Sequence, residues 1–209
     1  MKQALIISGG AYDVPPVALQ PNLIIACDKG YRYAQMLGLK PDIVLGDFDS
    51  IDERPTADGF TLLTYPIEKD DTDTMLAIKY ALGKGCDQIT LLCALGNRLD
   101  HTYANIQSMH YAAQHGACCE ILSKKEQLRA LRPGSYQLKY KPDTSLSLFA
   151  LTDSCKALTI HGAKYDVERI ELKNSFPLGL GNSWLSDTVS ITFEEGILLV
   201  AESYMGDES

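Results

Sequence analysis

The chain has 209 residues, 45% hydrophobic and 22% charged, a globular composition long enough to bury a sizeable core in one large domain or two small ones. Its net charge of −8 argues against non-specific nucleic-acid binding, because a phosphate backbone demands a basic face. An anionic small ligand stays possible, given local Arg and Lys or a bridging cation.

Six cysteines (Cys27, Cys86, Cys93, Cys118, Cys119, Cys155) form no CxxC pair and no zinc spacing, which predicts reduced, buried thiols. The apolar stretch "ALII" near the start is too short for a signal peptide, and no run of about 18 apolar residues occurs. The expectation is a soluble, cytoplasmic protein with no membrane contact.

In chain order, "QALIISG" (3–9), "LIIACD" (23–28), "IVLGD" (43–47), "FTLLTY" (60–65) and "QITLLCAL" (88–95) are short, nearly continuous apolar runs. Such runs suit strands covered on both faces, as in a parallel sheet. Helical patterns lie between them. One covers 30–37; a second starts near Thr72, with Met75, Ile78 and Leu82 on one face; a third runs from Asp100 to Gly116. The alternation predicts an α/β domain with a mostly parallel sheet over 1–124.

The texture then changes. "EQLRAL", "SYQLKY", "TSLSLFAL", "KALTIHG", "TVSITF" and "ILLVAES" read as short strands separated by "RPGS", "KPDT" and "EEG". In "TVSITF", Val189, Ile191 and Phe193 alternate with polar residues. The expectation for 125–209 is an all-β sandwich, ending in a frayed "GDES" tail.

In open α/β sheets, ligands bind beyond the carboxyl ends of the strands. Here those ends carry acids: Asp28 after the second run, Asp47 and Asp49 after the third, Asp70, Asp71 and Asp73 after the fourth, and Arg98 with Asp100 after the fifth. Two carboxylates about 4 Å apart repel by roughly 1–4 kcal/mol. A converging group therefore needs protons or a cation, and an oxygen-only donor set points to Mg²⁺. Singly, each acid has a plainer reading: Asp42, Asp52 and Asp71 as turn formers, one of Asp70, Asp71 and Thr72 as a helix cap, Arg98 paired with Asp100. A phosphatase with Asp47 as nucleophile, a nucleotide sensor without turnover and a diphosphokinase acting on a pterin alcohol remain alternatives at this point.

Three segments in this order, "GDFDSID", "EKDDTDTMLAI" and "GNRLDHTYANI", followed by an all-β tail, resemble the thiamine pyrophosphokinase family over roughly residues 20 to 200. The resemblance implies a transferase, a kinase acting with ATP and Mg²⁺ on thiamine, and a homodimer with active sites between subunits. It places Asp47, Asp49, Asp73 and Asp100 at the metal and catalytic centre with Arg98. It places Asp28, Gly30, Lys69, Asp70, Thr72 and Arg98 along the nucleotide. In the second domain "HGAKYDV" and "GLGNSW" resemble thiamine-binding segments, implying roles for Tyr165, Asn182 and Ser183; Trp184 is read as packing. Two departures stand out: Lys29 replaces the first glycine of the family's "AxDGG", and Asn97 interrupts its "GGRxDH".

Overall fold

The computed structural model of the protein describes residues 1–46, 59–64, 70–96 and 98–206. The chain divides into two compact units, Met1–Lys124 and Lys125–Ser209.

The first unit is an α/β layer. Its elements are β1 (Gln3–Ile7), β2 (Leu23–Cys27), α1 (Gly30–Met36), β3 (Ile43–Gly46), β4 (Thr61–Thr64), α2 (Asp73–Gly83), β5 (Gln88–Leu92), α3 (Leu99–Gln114) and β6 (Cys118–Leu122). The strands pair in parallel in the order β6-β5-β1-β2-β3-β4. Central strands are buried almost throughout: Leu5, Ile6, Ile7, Ile25 and Leu45 are 0–1% exposed. That is why their sequences run apolar without alternation. The last strand in the order, β4, has exposed threonines at both ends, as an edge strand tolerates.

Helix α2 differs in its buried face. Thr74, Ala77, Ile78 and Ala81 are buried, whereas Met75 and Leu82 are only half-buried. The helix packs against both α3 and β2, and small side chains allow that double approach. Thr72 is its N-cap, its hydroxyl accepting from Met75 N at 3.1 Å. The cap restricts the helix start to one residue within the polar "DDTD" run. Asp42 also does local work: its Oδ2 accepts from Ile24 N at 2.8 Å.

The second unit is all β among its described elements: β7 (Glu126–Leu131), β8 (Gly134–Lys139), β9 (Thr144–Ala150), β10 (Ser154–His161), β11 (Val167–Lys173), β12 (Gly179–Asn182), β13 (Thr188–Phe193) and β14 (Leu198–Tyr204). Within it, β12-β9-β14-β7 and β11-β10-β13-β8 each pair antiparallel. Leu146, Leu148 and Val200 from the first set share one core with Leu158, Ile191 and Phe193 from the second. Val189, Ile191 and Phe193 point inward as their alternation predicts. Sequence patterning missed β6, β11 and β12. "VERIELK" is mostly exposed at alternate and adjacent positions, and "GLGN" has two glycines. Neither carries a period-2 apolar signal.

The described residues include no helix long and apolar enough to cross a membrane. The six cysteines form no disulfide, and five of them are buried. Burial pushes the Cys155 thiol up to about 11, and it lies 3.3 Å from the Ile197 carbonyl oxygen.

Among the described residues of this unit one charge is buried: the Glu202 carboxylate of β14, 1% exposed, pairs with Arg129 of β7 and with Lys141 at 3.2 Å. Removing one member of a buried pair leaves the other desolvated without compensation. Glu202→Ala is expected to lower unfolding free energy by about 3 kcal/mol, the low end for a broken buried pair because Arg129 is partly exposed. Denaturant titration should show a lower midpoint with an unchanged slope.

Candidate active site

The register of the parallel strands determines what meets at their carboxyl ends. Ile7 lies opposite both Ala26 and Leu92, and Cys27 opposite Leu45. Strands β1, β2, β3 and β5 therefore end at one level, and the described segments after β1, β2 and β5 share one rim. From β1 the chain proceeds outward through β2, β3 and β4, whereas after β5 it continues on the other side to β6. The switch point thus falls between β1 and β5, where such sheets open a crevice. A cleft of about 970 Å³ lies there, lined by residues from Ser8 to Asn105.

Two close approaches shape the cleft beside β2. A Cβ on Gly30 would stand 2.0 Å from the Ile7 carbonyl oxygen, so α1 can begin against β1 only with glycine there. A Cβ on Gly46 would stand 1.8 Å from Asp28 Oδ1, so the end of β3 leaves room for that carboxylate. Asp28 itself is left-handed (φ 44°), and its N–H donates to the Leu45 carbonyl at 2.9 Å. Lys29 is right-handed (φ −55°, ψ −23°), so a side chain here strains nothing. The departure from glycine therefore leaves the backbone intact and adds a cation to the cleft wall.

Asp73 and Thr72 enter the same cleft from the start of α2, and Arg98 and Asp100 from the start of α3. Arg98 grips Asp100 with two donors, Nε to Oδ1 at 3.2 Å and Nη2 to Oδ2 at 2.6 Å. Asp100 Oδ1 also accepts from His101 N at 3.0 Å. The Arg98 hydrogen bonds hold the Asp100 carboxyl below its usual range, and the same pairing raises Arg98. Asp70 is exposed; Asp71 is held by Lys79 at 2.6 Å. Asp47, Asp49 and Lys69, together with Asp52 and Asn97, lie outside the described residues. Among the described residues no three His, Cys, Asp or Glu side chains gather closely enough to hold one metal ion. Of the four acids expected there, only Asp73 and Asp100 are among them, and both line the cleft.

Counting acids overlooked two features of the rim. Ser8 Oγ and Thr74 Oγ1, both buried, are 3.0 Å apart and join the end of β1 to α2. Tyr12 and Tyr33 form an aromatic corner with centroids 5.2 Å apart. Ser8 follows β1 as directly as Asp28 follows β2, and Tyr12 comes in the loop just beyond it. The strand-end rule would have found them had it been applied to every polar and aromatic type.

In the second unit, Tyr165 is 60% exposed on the turn between β10 and β11. Asn182, 6% exposed, holds that turn. Its Oδ1 accepts from Tyr165 N and Ser183 N, both at 2.9 Å, and its Nδ2 donates to Tyr165 O at 3.0 Å. Asn182 thus uses its amide on the backbone, while Ser183 is exposed. Trp184 Nε1 donates to Thr144 O at 2.9 Å and its ring packs on the core.

Residues 17–121 match the family model described as "Thiamin pyrophosphokinase, catalytic domain", and residues 135–198 match "Thiamin pyrophosphokinase, vitamin B1 binding domain". The chain is 28% identical over 212 residues to a thiamine pyrophosphokinase of Bacillus subtilis, covering 97% of this chain and 99% of that protein. It is similar to a crystal structure of the thiamine pyrophosphokinase from Bacillus subtilis, with a TM-score of 0.86 at 26% identity over 97% of this chain and 99% of that one. The thiamin pyrophosphokinase of Geobacillus thermodenitrificans shares the fold, with a TM-score of 0.82 at 24% identity over 99% of both chains.

Asn182→Ala removes three hydrogen bonds and leaves backbone groups unsatisfied, which costs about 1–3 kcal/mol for each buried group left unpaired. The expected outcome is a lower melting temperature together with faster amide exchange at Tyr165 and Ser183.

Proposed function

The chain belongs to the thiamin pyrophosphokinase family, enzymes of thiamine diphosphate synthesis, and from that premise we propose that it transfers the pyrophosphoryl group of ATP to the hydroxyl of thiamine, releasing AMP. One observation carries the reading: a single switch-point cleft gathers Asp28, Thr72, Asp73, Arg98 and Asp100, drawn from three separate sequence segments. Its volume suits a small-molecule ligand.

The reaction is a direct displacement. The thiamine hydroxyl oxygen bonds to the β-phosphorus of ATP, the bond from that phosphorus to the α–β bridging oxygen breaks, and AMP departs with that oxygen. Such chemistry depends on positioning and on charge neutralisation and requires no covalent protein nucleophile. Asp73 or Asp100 takes the hydroxyl proton. Pairing with Asp100 engages Nε and Nη2 of Arg98 and leaves the Nη1 side of its fork for a phosphate oxygen. Lys69 adds a second positive charge. Thr72 accepts from the helix backbone and retains its own proton to donate to phosphate, with Asp28, Gly30 and Asp70 on the nucleotide side.

Asp47, Asp49, Asp73 and Asp100 would hold Mg²⁺, a hard cation suited to their carboxylate oxygens, whose charge offsets that of the phosphates when bound. In the second unit, the exposed Tyr165 offers a flat face to the cationic thiazolium, a contact contributing about 0.5–2 kcal/mol. Lys164 Nζ lies 5.5 Å from the ring centroid on one side, which leaves the other face for thiamine. Ser183 completes that surface, and Asn182 positions it. Exposed Phe176, Leu180 and Leu185 on the same unit favour association of two protomers, with each site drawing on both.

Incubation with ATP, Mg²⁺ and thiamine is expected to yield AMP and thiamine diphosphate by mass; orthophosphate in place of AMP contradicts the reading. Asp47→Asn and Asp100→Asn should each lower turnover by orders of magnitude while circular dichroism stays unchanged; wild-type rates at saturating Mg²⁺ would remove both from the centre. Tyr165→Ala should raise the KM for thiamine with little change in the KM for ATP. Unaltered thiamine affinity in that variant removes the aromatic contact.

A further inference from the structure

Lys29 stands at a place no role has yet been given. In the strand order β5-β1-β2, the turn Ser8–Gly9–Gly10 follows the middle strand. Arg98 enters the cleft from the chain following β5, and Lys29 follows Asp28 just past the end of β2. Two cations thus flank the β1 turn, from strands separated by two spacings, about 10 Å. The stem of Lys29 packs beside the turn: its Cβ lies 3.6 Å from where a Cβ of Gly9 would be.

The ammonium is not directed at random. It lies 5.8 Å from the centroid of the Tyr33 ring. Tyr33 is 7% exposed, and its hydroxyl donates to the Gly10 carbonyl at 3.0 Å, so the ring is a fixed platform. A lysine over an aromatic face is attracted to it by about 0.5–1 kcal/mol at an exposed site. That keeps its charge at the cleft wall rather than dispersed in solvent. Among the described lining residues the other fixed cation, Arg98, is already engaged by Asp100. Lys29 has no carboxylate partner among the described residues. The wall also carries Asp28, Asp73 and Asp100 in a chain of net charge −8, so an entering polyanion meets repulsion unless a cation is available.

We propose that Lys29 is a phosphate-binding residue of this protein, holding the nucleotide's polyphosphate over the Gly9–Gly10 turn from the side facing Arg98, and so sets the affinity for nucleotides by their phosphate charge. The inference rests on the reading of the cleft as the ATP site. It adds a cation at a position where the resembling motif has glycine, which cannot supply one.

The test is calorimetric titration of the full chain with ATP, AMP and adenosine in Mg²⁺ buffer, for wild type, Lys29→Met and Lys29→Arg. Lys29→Met is expected to weaken ATP binding tenfold to a hundredfold, the range of one charge-assisted contact, with adenosine affinity and melting temperature unchanged. Lys29→Arg should restore ATP affinity to within about threefold, and wild-type affinity should fall more steeply with salt than that of Lys29→Met. Unaltered ATP affinity in Lys29→Met overturns the assignment while leaving the ATP reading intact, and so does a parallel loss of adenosine binding. A wild-type protein that binds no ATP overturns both.

Discussion

The parallel register of four strands is the constraint on which the first unit depends. Because Ile7 faces both Ala26 and Leu92, and Cys27 faces Leu45, four strands end at one level, and the described segments after β1, β2 and β5 turn within a small volume. The turns interlock through main-chain bonds: Ser8 N–H to Leu92 O at 2.9 Å, Gly10 N–H to Cys93 O at 2.8 Å, Asp28 N–H to Leu45 O at 2.9 Å. Backbone groups thereby satisfy one another at the rim, where buried loops otherwise carry unpaired polar atoms. Side chains are left to face the cleft, and glycine at 30 and 46 preserves the space they use.

The second unit solves a different problem, presenting an aromatic ring on an exposed turn without allowing it to wander. Asn182 holds the turn at Tyr165, and Asp166 holds it from within, accepting from Ala163 N at 2.9 Å and Gly162 N at 3.3 Å. Burial would raise the Asp166 carboxyl, but those two backbone donors and His161 outweigh it and bring it below its usual value. Its contribution to stability is therefore present above the ordinary carboxylate range and lost as pH falls through the lowered folded value. The turn loosens on acidification, not at neutral pH.

How much was legible follows from which signals are local. Runs such as "LIIAC" and "IVLG" declare buried strands because both their faces are covered, and "TVSITF" declares a half-buried one by alternation. Position 72 was one of three candidate caps, and only tertiary structure chose it. "CCEIL", "VERIELK" and "GLGN" became strands through pairing partners far away in sequence, information no local window holds. At the cleft, the acids that follow the strands and the family motifs were readable, because each lies within a short stretch of sequence. The Ser8–Thr74 hydroxyl pair joins positions 66 residues apart and was not. The setting of Lys29 was equally hidden. The resemblance implied that it stands where relatives have a glycine, but only its right-handed backbone and the ring beneath it show that the side chain is accommodated at the cleft wall.

The acids divide by what each one touches. Asp42, at the amino end of β3 and away from the cleft, accepts a main-chain N–H of β2, and Asp71 holds Lys79; both carboxylates are occupied by the fold itself. Asp100 lies in the cleft already neutralised by Arg98. At about 64–69% exposure that pair gains little stability, since water screens it. Its consequence is orientation: a planar guanidinium gripped at two points on one edge can direct its other edge in only a narrow range. A lysine ammonium has no such fork and is steered instead by the surface under it, which is what the Tyr33 ring provides. Two cations fixed by different means, flanking one glycine turn, suit a ligand whose charge is spread along a chain of phosphates better than one bearing a single anionic group.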